Sequence, residues 1–434
     1  MMENRKSKSV FQNTNYVLLF LGVLISHLGA SFYNFAVGFY ILKITSNNAF
    51  IQGVYLAVAG LVVVITSPLG GVLADRWNKV KIIYGTDLIK GFVVILAALL
   101  IYFAINNNDE NLQLIILFGV AIIFNFVGAI FSPASSSIIK FIVDEDQYQQ
   151  ASSYLSSIDS LLGIIGVILA GIFYTIMPIY YLFILIGILY ILSGISEMFI
   201  KYHYEKTKQP LTLKYIINDF KDGFNYILTK KALLYLSFGA LFANFFVTPI
   251  FNNLNYFISV YVKGQKYIFD HLFEPEFWSS IISVAISLGT ISTSLVYGLK
   301  KQKERFAPSI LKGFFLIAFV FIAASISFIF SVLIWDNINI YLISLFILMI
   351  LCGVALIMVN IPISTYRYKI VESDKLAKVN SLMVIGTQGL MPIASFVGGI
   401  IIQALGIGYL LSFCALGLLI TSILLASSKT VRAI

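Results

Sequence analysis

Charge is what this sequence most lacks. Asp, Glu, Lys and Arg make up 11% of its 434 residues while 59% are hydrophobic. A water-soluble domain of that composition would expose large apolar patches, so a soluble fold is excluded. Cysteine is nearly absent. Cys352 and Cys414 lie far apart in separate apolar runs, which excludes a disulfide framework or a metal site and leaves two small buried hydrophobes. Histidine is equally scarce: His27, His203 and His271 fall in different regions at no metal-ligand spacing. No glycine-rich phosphate loop followed by Lys and Ser/Thr occurs either. No cofactor is expected, and an enzyme is disfavoured.

What the chain has instead is long apolar runs. Between charged or Asn/Gly/Pro breaks they number about twelve, each near the length of a bilayer-spanning helix. They lie near 16–42, 50–73, 82–105, 112–139, 151–177, 179–200, 232–262, 277–299, 309–334, 338–361, 380–405 and 406–426. The first run is too long for a removable signal peptide and lacks a small-residue cleavage pattern, so it is expected to stay. A net charge of +9 in a soluble protein raises the question of nucleic acid, but here the positions of the charges answer it. Lys and Arg cluster at Arg5 to Lys8, Arg76 to Lys81, Lys140, Lys201 to Lys231, Lys300 to Lys312, Arg367 to Lys378 and Lys429 to Arg432, whereas the alternate loops hold only Lys43, Lys263 and Lys266. This is the positive-inside pattern, and it predicts both termini in the cytosol of a multi-pass plasma-membrane protein with no nucleic-acid partner.

An internal repeat divides the chain. Residues 142–153, IVDEDQYQQASS, align without a gap on 370–381, IVESDKLAKVNS, and Ala170-Gly171-Ile172 falls in register on Gly398-Gly399-Ile400. The expected architecture is an all-α membrane protein of twelve spans in two six-helix bundles, 1–200 and 232–434, with the same orientation as in parallel repeats. Between them, 201–231 forms a cytosolic linker. Its Leu213, Ile216, Ile217, Phe220, Phe224 and Ile227 recur at helical spacing among polar residues, so an amphipathic helix is expected to lie on the inner membrane surface and tether the halves.

The turn Gly70-Gly71-Val72-Leu73-Ala74-Asp75-Arg76-Trp77-Asn78-Lys79-Val80-Lys81 resembles the loop between the second and third helices of the major facilitator superfamily, with Asn78 and Lys79 in place of the usual glycine and arginine. Three further stretches resemble the branch of that superfamily that holds macrolide efflux proteins and enterobactin exporters. They are Asp219 to Ile227, Gly29 to Ser46 and the segment before Asn380-Ser381. Where exporters of the superfamily often carry Gly-Pro-x-x-Gly-Gly, this chain has Gly166-Val167-Ile168-Leu169-Ala170-Gly171 and lacks the proline. The resemblance implies transport by alternating access, with Gly71, Asp75, Arg76 and Lys79 as an inner gate latch and Gly71 permitting close approach.

Polar groups inside the spans are then the candidates for mechanism. Asp159, two turns into the fifth span and on one face with Gly163, Gly166 and Ala170, is either a proton carrier or an acid bonded across a packing face. Asp87 and Lys90, at i and i+3, read first as an ion pair, with Asp87 also a candidate proton site. His27 shares a stripe with Asn34 and belongs to the residue type that titrates near neutral pH, so it is a proton carrier or a neutral interhelical bond. Tyr33, Asn34, Gln52, Asn125, Asn252, Asn360 and Gln388 are candidates for a substrate cavity, and Gly163, Gly166, Gly171 and Gly399 for close helix packing. Glu197 reads as a solvated acid at the membrane surface.

With aromatics at 15%, a bulky amphipathic substrate suits the chain better than a sugar or an ion. The leading expectation is a monomeric proton-coupled exporter of macrolide-like compounds. Beside it stands an exporter or flippase of a siderophore, haem-like compound or lysolipid. A receptor that no longer transports ranks last, because Asn34, Asn125 and Asn360 remain.

Overall fold

The structure is a computed structural model that describes residues 9–144, 147–201, 224–299, 305–372 and 376–434. Most of the 201–231 linker therefore lies outside the described residues. Every regular element among the described residues is helical, as lipid requires. With no water to bond, a spanning backbone must satisfy its own N–H and C=O groups.

In chain order the long helices are α1 (Thr14–Ile44), α2 (Ala49–Arg76), α3 (Lys79–Asn106), α4 (Glu110–Ile142), α5 (Tyr148–Leu162), α6 (Ile165–Ile176), α7 (Ile179–Met198), α8 (Lys231–Asn252), α9 (Phe277–Leu299), α10 (Ala307–Phe328), α11 (Ile338–Ile370), α12 (Leu376–Gln388), α13 (Met391–Leu405) and α14 (Ile407–Ser427). Helix starts are capped locally. Asn78, Asp109 and Asn337 accept from the backbone N–H of Lys81, Leu112 and Asn339. The sharp turn between α13 and α14 uses Gly406 at φ 92°, where a side chain would be strained.

Among the described residues eleven helices are long and apolar enough to cross a membrane, and Ile165–Ile176 is a shorter apolar helix. The difference from twelve lies in the fifth run, which is not one helix. It breaks at Gly163-Ile164 into the serine-rich α5 and the apolar α6. The eleventh run breaks the same way at Gly389-Leu390, between α12 and α13. In the register of the repeat the two breaks fall within one helical turn of each other. The tenth run also differs: α11 continues to Ile370, so Arg367 sits on a helix and not in a loop.

The chain forms two compact units, Met1–Tyr40 with Val58–Pro210 and Ile41–Ala57 with Leu211–Ile434. The 41–57 hairpin counts with the second unit because its glycine meets another. A Cβ at Gly53 would lie 2.8 Å from the Ser395 carbonyl and 3.0 Å from Gly399 Cα.

Candidate functional site

In the second unit, α8, α10, α11, α12 and α13 enclose a cavity of about 320 Å³, at the small end of the ~300–1,000 Å³ range of ligand pockets. Its apolar wall includes Leu236, Val247, Phe314, Ile317, Val359 and Met391. Its polar groups are Asn244, Asn360, Ser364, Arg367, Thr387 and Gln388. Two features of the chain build this mixture. The break after Gln388 brings the last turn of α12 and the first residue of α13 to the wall, and the Asn244 side chain fastens that turn by donating to the Thr387 carbonyl at 2.9 Å. The extra length of α11 adds Ser364 and Arg367. Broken helices at corresponding positions of two repeats are where transporters build their sites, because a break frees backbone polar groups beside a cavity.

In the first unit, charge is sealed away from solvent. Asp87 and Glu197 are each 0% exposed and Lys90 is 8% exposed. Lys90 Nζ lies 3.7 Å from Asp87 Oδ1 and over the rings of Phe131, Tyr190 and Phe124 at 4.9, 5.2 and 5.8 Å. An ion pair with an aromatic cage thus stands in for hydration of the ammonium. Ser193 Oγ bonds Asp87 Oδ2 at 2.6 Å and the Gly22 carbonyl at 2.8 Å. His27, half-buried on α1, interacts electrostatically with Asp87. The ion pair expected from the i, i+3 spacing is present. Glu197 is a correction: it does not face solvent, because Gly22 leaves a notch on α1 that the Glu197 side chain fills. The missed signal was that notch, a glycine one turn before Ser26 on a helix of bulky residues.

The turn between α2 and α3 is tied down by Lys79, which is 5% exposed. Its Nζ donates to the Ala74 carbonyl at 2.8 Å and lies 5.1 Å from the Phe141 ring, so a cation closes the end of α2. Gly70, not Gly71, is the close-approach glycine. A Cβ at Gly70 would run into the Ala129 carbonyl of α4, whereas at Gly71 it would meet nothing within 4 Å. Arg76 is half-buried beside this turn, and the side chains of Asp75 and Asp159 lie outside the described residues.

The remaining candidates are scattered. Asn360 and Gln388 meet in the cavity. Gln52 and Asn252 meet elsewhere in the second unit, where Gln52 Nε2 donates to the Asn252 carbonyl at 3.4 Å and Asn252 Nδ2 to Ser395 Oγ at 2.8 Å. In the first unit Tyr33 is packed inside, stacked on Phe124 at 4.4 Å, Asn125 donates to the Ala121 carbonyl of its own helix, and Asn34 is exposed. Gly163 sits in the α5–α6 turn and Gly171 is buried. Gly166 lets α6 approach Ser31 of α1, and Gly399 lets α13 approach Ala49 and Gly53.

A profile of the Major Facilitator Superfamily matches residues 19–367. The chain belongs to this superfamily. It is 27% identical over 389 residues to the uncharacterized MFS-type transporter YkuC of Bacillus subtilis (strain 168), a match that spans 86% of this chain and 82% of that protein. Among solved structures it resembles a POT family transporter in complex with 5-aminolevulinic acid, with a TM-score of 0.72, 15% identity and 96% of each chain covered. It also resembles a bacterial homologue of the iron transporter ferroportin, with a TM-score of 0.68, 16% identity and 96% of this chain and 98% of that one covered. At these identities the likeness is one of fold. The chain is thus a multi-pass membrane transporter that takes a small-molecule substrate.

Proposed function

We propose that the protein is a proton-coupled exporter of amphipathic small molecules. It works as a monomer by alternating access of bundles 1–200 and 232–434 about the 201–231 linker, in the plasma membrane with both termini cytosolic. The observation that carries this reading is the second-unit cavity, in which an apolar wall is interrupted by the amides of Asn244 and Asn360 and, at a helix break, of Gln388. Such a lining suits a molecule with a large apolar face and a few hydrogen-bonding groups. Macrolide-like drugs are the leading class through the resemblance of the sequence. Asp75, Arg76 and Lys79 form the latch that holds one facing state, and Asp159, Asp87 and His27 are the candidates for carrying the coupled proton.

A second reading has one observation in its favour. Arg367 is the charged group in the cavity wall, and a guanidinium favours a carboxylate or phosphate. An endogenous anionic amphiphile therefore fits this wall better than a cationic drug.

Reconstituted in liposomes with and without a pH gradient, the protein is expected to move erythromycin faster with the gradient. Asn360→Leu is expected to weaken uptake by roughly tenfold, as the loss of a polar contact costs about 1–3 kcal/mol. Transport that ignores the gradient would overturn the coupling. If an anionic lysolipid were carried in place of erythromycin, and only while Arg367 is intact, the second reading would stand.

A further inference from the structure

Asp87, Lys90 and Glu197 bring two carboxyl groups and one ammonium into one buried cluster of the first unit. Lys90 is provided for by Asp87 and three rings, but Glu197 is not. Both its carboxyl oxygens are buried without a hydrogen-bond partner among the described residues. It lies near enough to Asp87 and Lys90 to interact electrostatically with both. With Asp87, Glu197 and Lys90 ionised and His27 neutral, the cluster would hold one uncompensated negative charge, a state that the interior of a membrane bundle strongly disfavours.

Ser193 supplies a second, independent observation. Its hydroxyl has one hydrogen yet stands within bonding distance of two acceptors, Asp87 Oδ2 at 2.6 Å and the Gly22 carbonyl at 2.8 Å. Unless that one hydrogen is shared in a three-centre bond, both contacts are hydrogen bonds when Asp87 carries a proton. Asp87 then donates to Ser193 Oγ, and Ser193 donates to Gly22. When the proton leaves, Ser193 must turn its hydrogen towards Asp87 and release the carbonyl of α1.

We propose that Asp87 and Glu197 form a carboxyl pair that binds one exchangeable proton, with Lys90 balancing the remaining charge, and that this is the proton used in transport. The second clause rests on the proton-coupled reading above; the first does not. Besides Lys90, the titratable groups that interact electrostatically with the pair are His27 on α1 and Tyr190 on α7. The phenyl rings of Phe124 and Phe131 close the α4 side, and Lys201, just past α7, is exposed.

Infrared difference spectroscopy on the purified full-length protein at neutral pH, where exposed carboxyls are ionised, tests the pair directly. The spectrum of wild type minus Glu197→Gln is expected to contain the C=O stretch of one protonated carboxyl. The same band is expected against Asp87→Asn, since removing either acid leaves a neutral pair with Lys90. No band in either difference spectrum overturns the proposal. If Glu197→Gln does not fold, Glu197→Leu replaces it, because the second unit packs Leu425 on Gly239 in the same way. In liposomes, the pH-gradient stimulation of erythromycin transport is expected to fall about tenfold or more in the variant. Unchanged stimulation would remove the pair from coupling. A wild type with no stimulation would instead sink the proton-coupled reading and leave the infrared result to decide the site.

Discussion

Ile83, Val94, Ala97 and Ile101 of α3 are buried at the same spacing as Ile310, Phe321, Ala324 and Phe328 of α10. Tyr16, Leu19 and Gly22 of α1 likewise match Leu233, Leu236 and Gly239 of α8, and Leu182, Ile186 and Tyr190 of α7 match Leu410, Cys414 and Leu418 of α14. In this register Asp87 falls on Phe314, Lys90 on Ile317, His27 on Asn244 and Glu197 on Leu425. Phe131 of α4 falls on Val359 of α11. Four of these second-unit counterparts, Asn244, Phe314, Ile317 and Val359, line the cavity. The same place in the repeat is thus filled by a caged ammonium and two acids in one half and left open in the other. One helical frame serves both contents because its outer packing positions stay apolar, while a few inward ones choose between charge and room.

The sharpest way to break the comparison is to unbalance the charged half. Lys90→Met leaves two buried acids without their cation and is expected to destabilise the protein by about 3–5 kcal/mol, read as a fall in thermal unfolding temperature in detergent. Copying the second unit, with Asp87→Phe, Lys90→Ile and Glu197→Leu together, is expected to lose less than that single change. A triple variant worse than Lys90→Met would show that the two frames are not interchangeable.

A smaller effect sharpens the packing half of the argument. A Cβ at Gly22 would lie 2.5 Å from Glu197 Cγ, and at Gly239 2.5 Å from Leu425 Cδ1. Gly22→Ala and Gly239→Ala are therefore each expected to cost about 1–3 kcal/mol by overpacking, measured in the same unfolding assay, and unequal losses would separate the repeats. The smallest effect belongs to Gly71→Ala. With nothing within 4 Å of the new methyl, it is expected to be neutral or to stabilise α2 by up to about 1 kcal/mol, and to leave transport intact.

Spans, repeat and superfamily were legible in the sequence because each rests on runs of residues: apolar length, alternating loop charge and the match of 142–153 to 370–381. The Asp87–Lys90 pair was legible too, since a spacing of three on a helix settles it. Glu197 was not, because position along the chain, one turn from the end of a span, says nothing of depth when a glycine on another helix makes a socket for it. In the sequence Arg367 reads as a loop residue because a basic cluster ordinarily marks the end of a span, and here α11 runs on past it. The helix breaks were hidden for a related reason. Gly163 looks like a packing glycine in a one-dimensional reading and Gly389 carries no signal of its own, and only the backbone shows that the chain turns there.

The ring cage around Lys90 has a practical consequence. A small amine-acylating reagent added from water meets exposed Lys43 and Lys263 at once, but reaches the Lys90 nitrogen only when Phe131, Tyr190 and Phe124 part. The speed at which that one amine is modified is therefore a clock, built into the protein, for how often the first bundle breathes open.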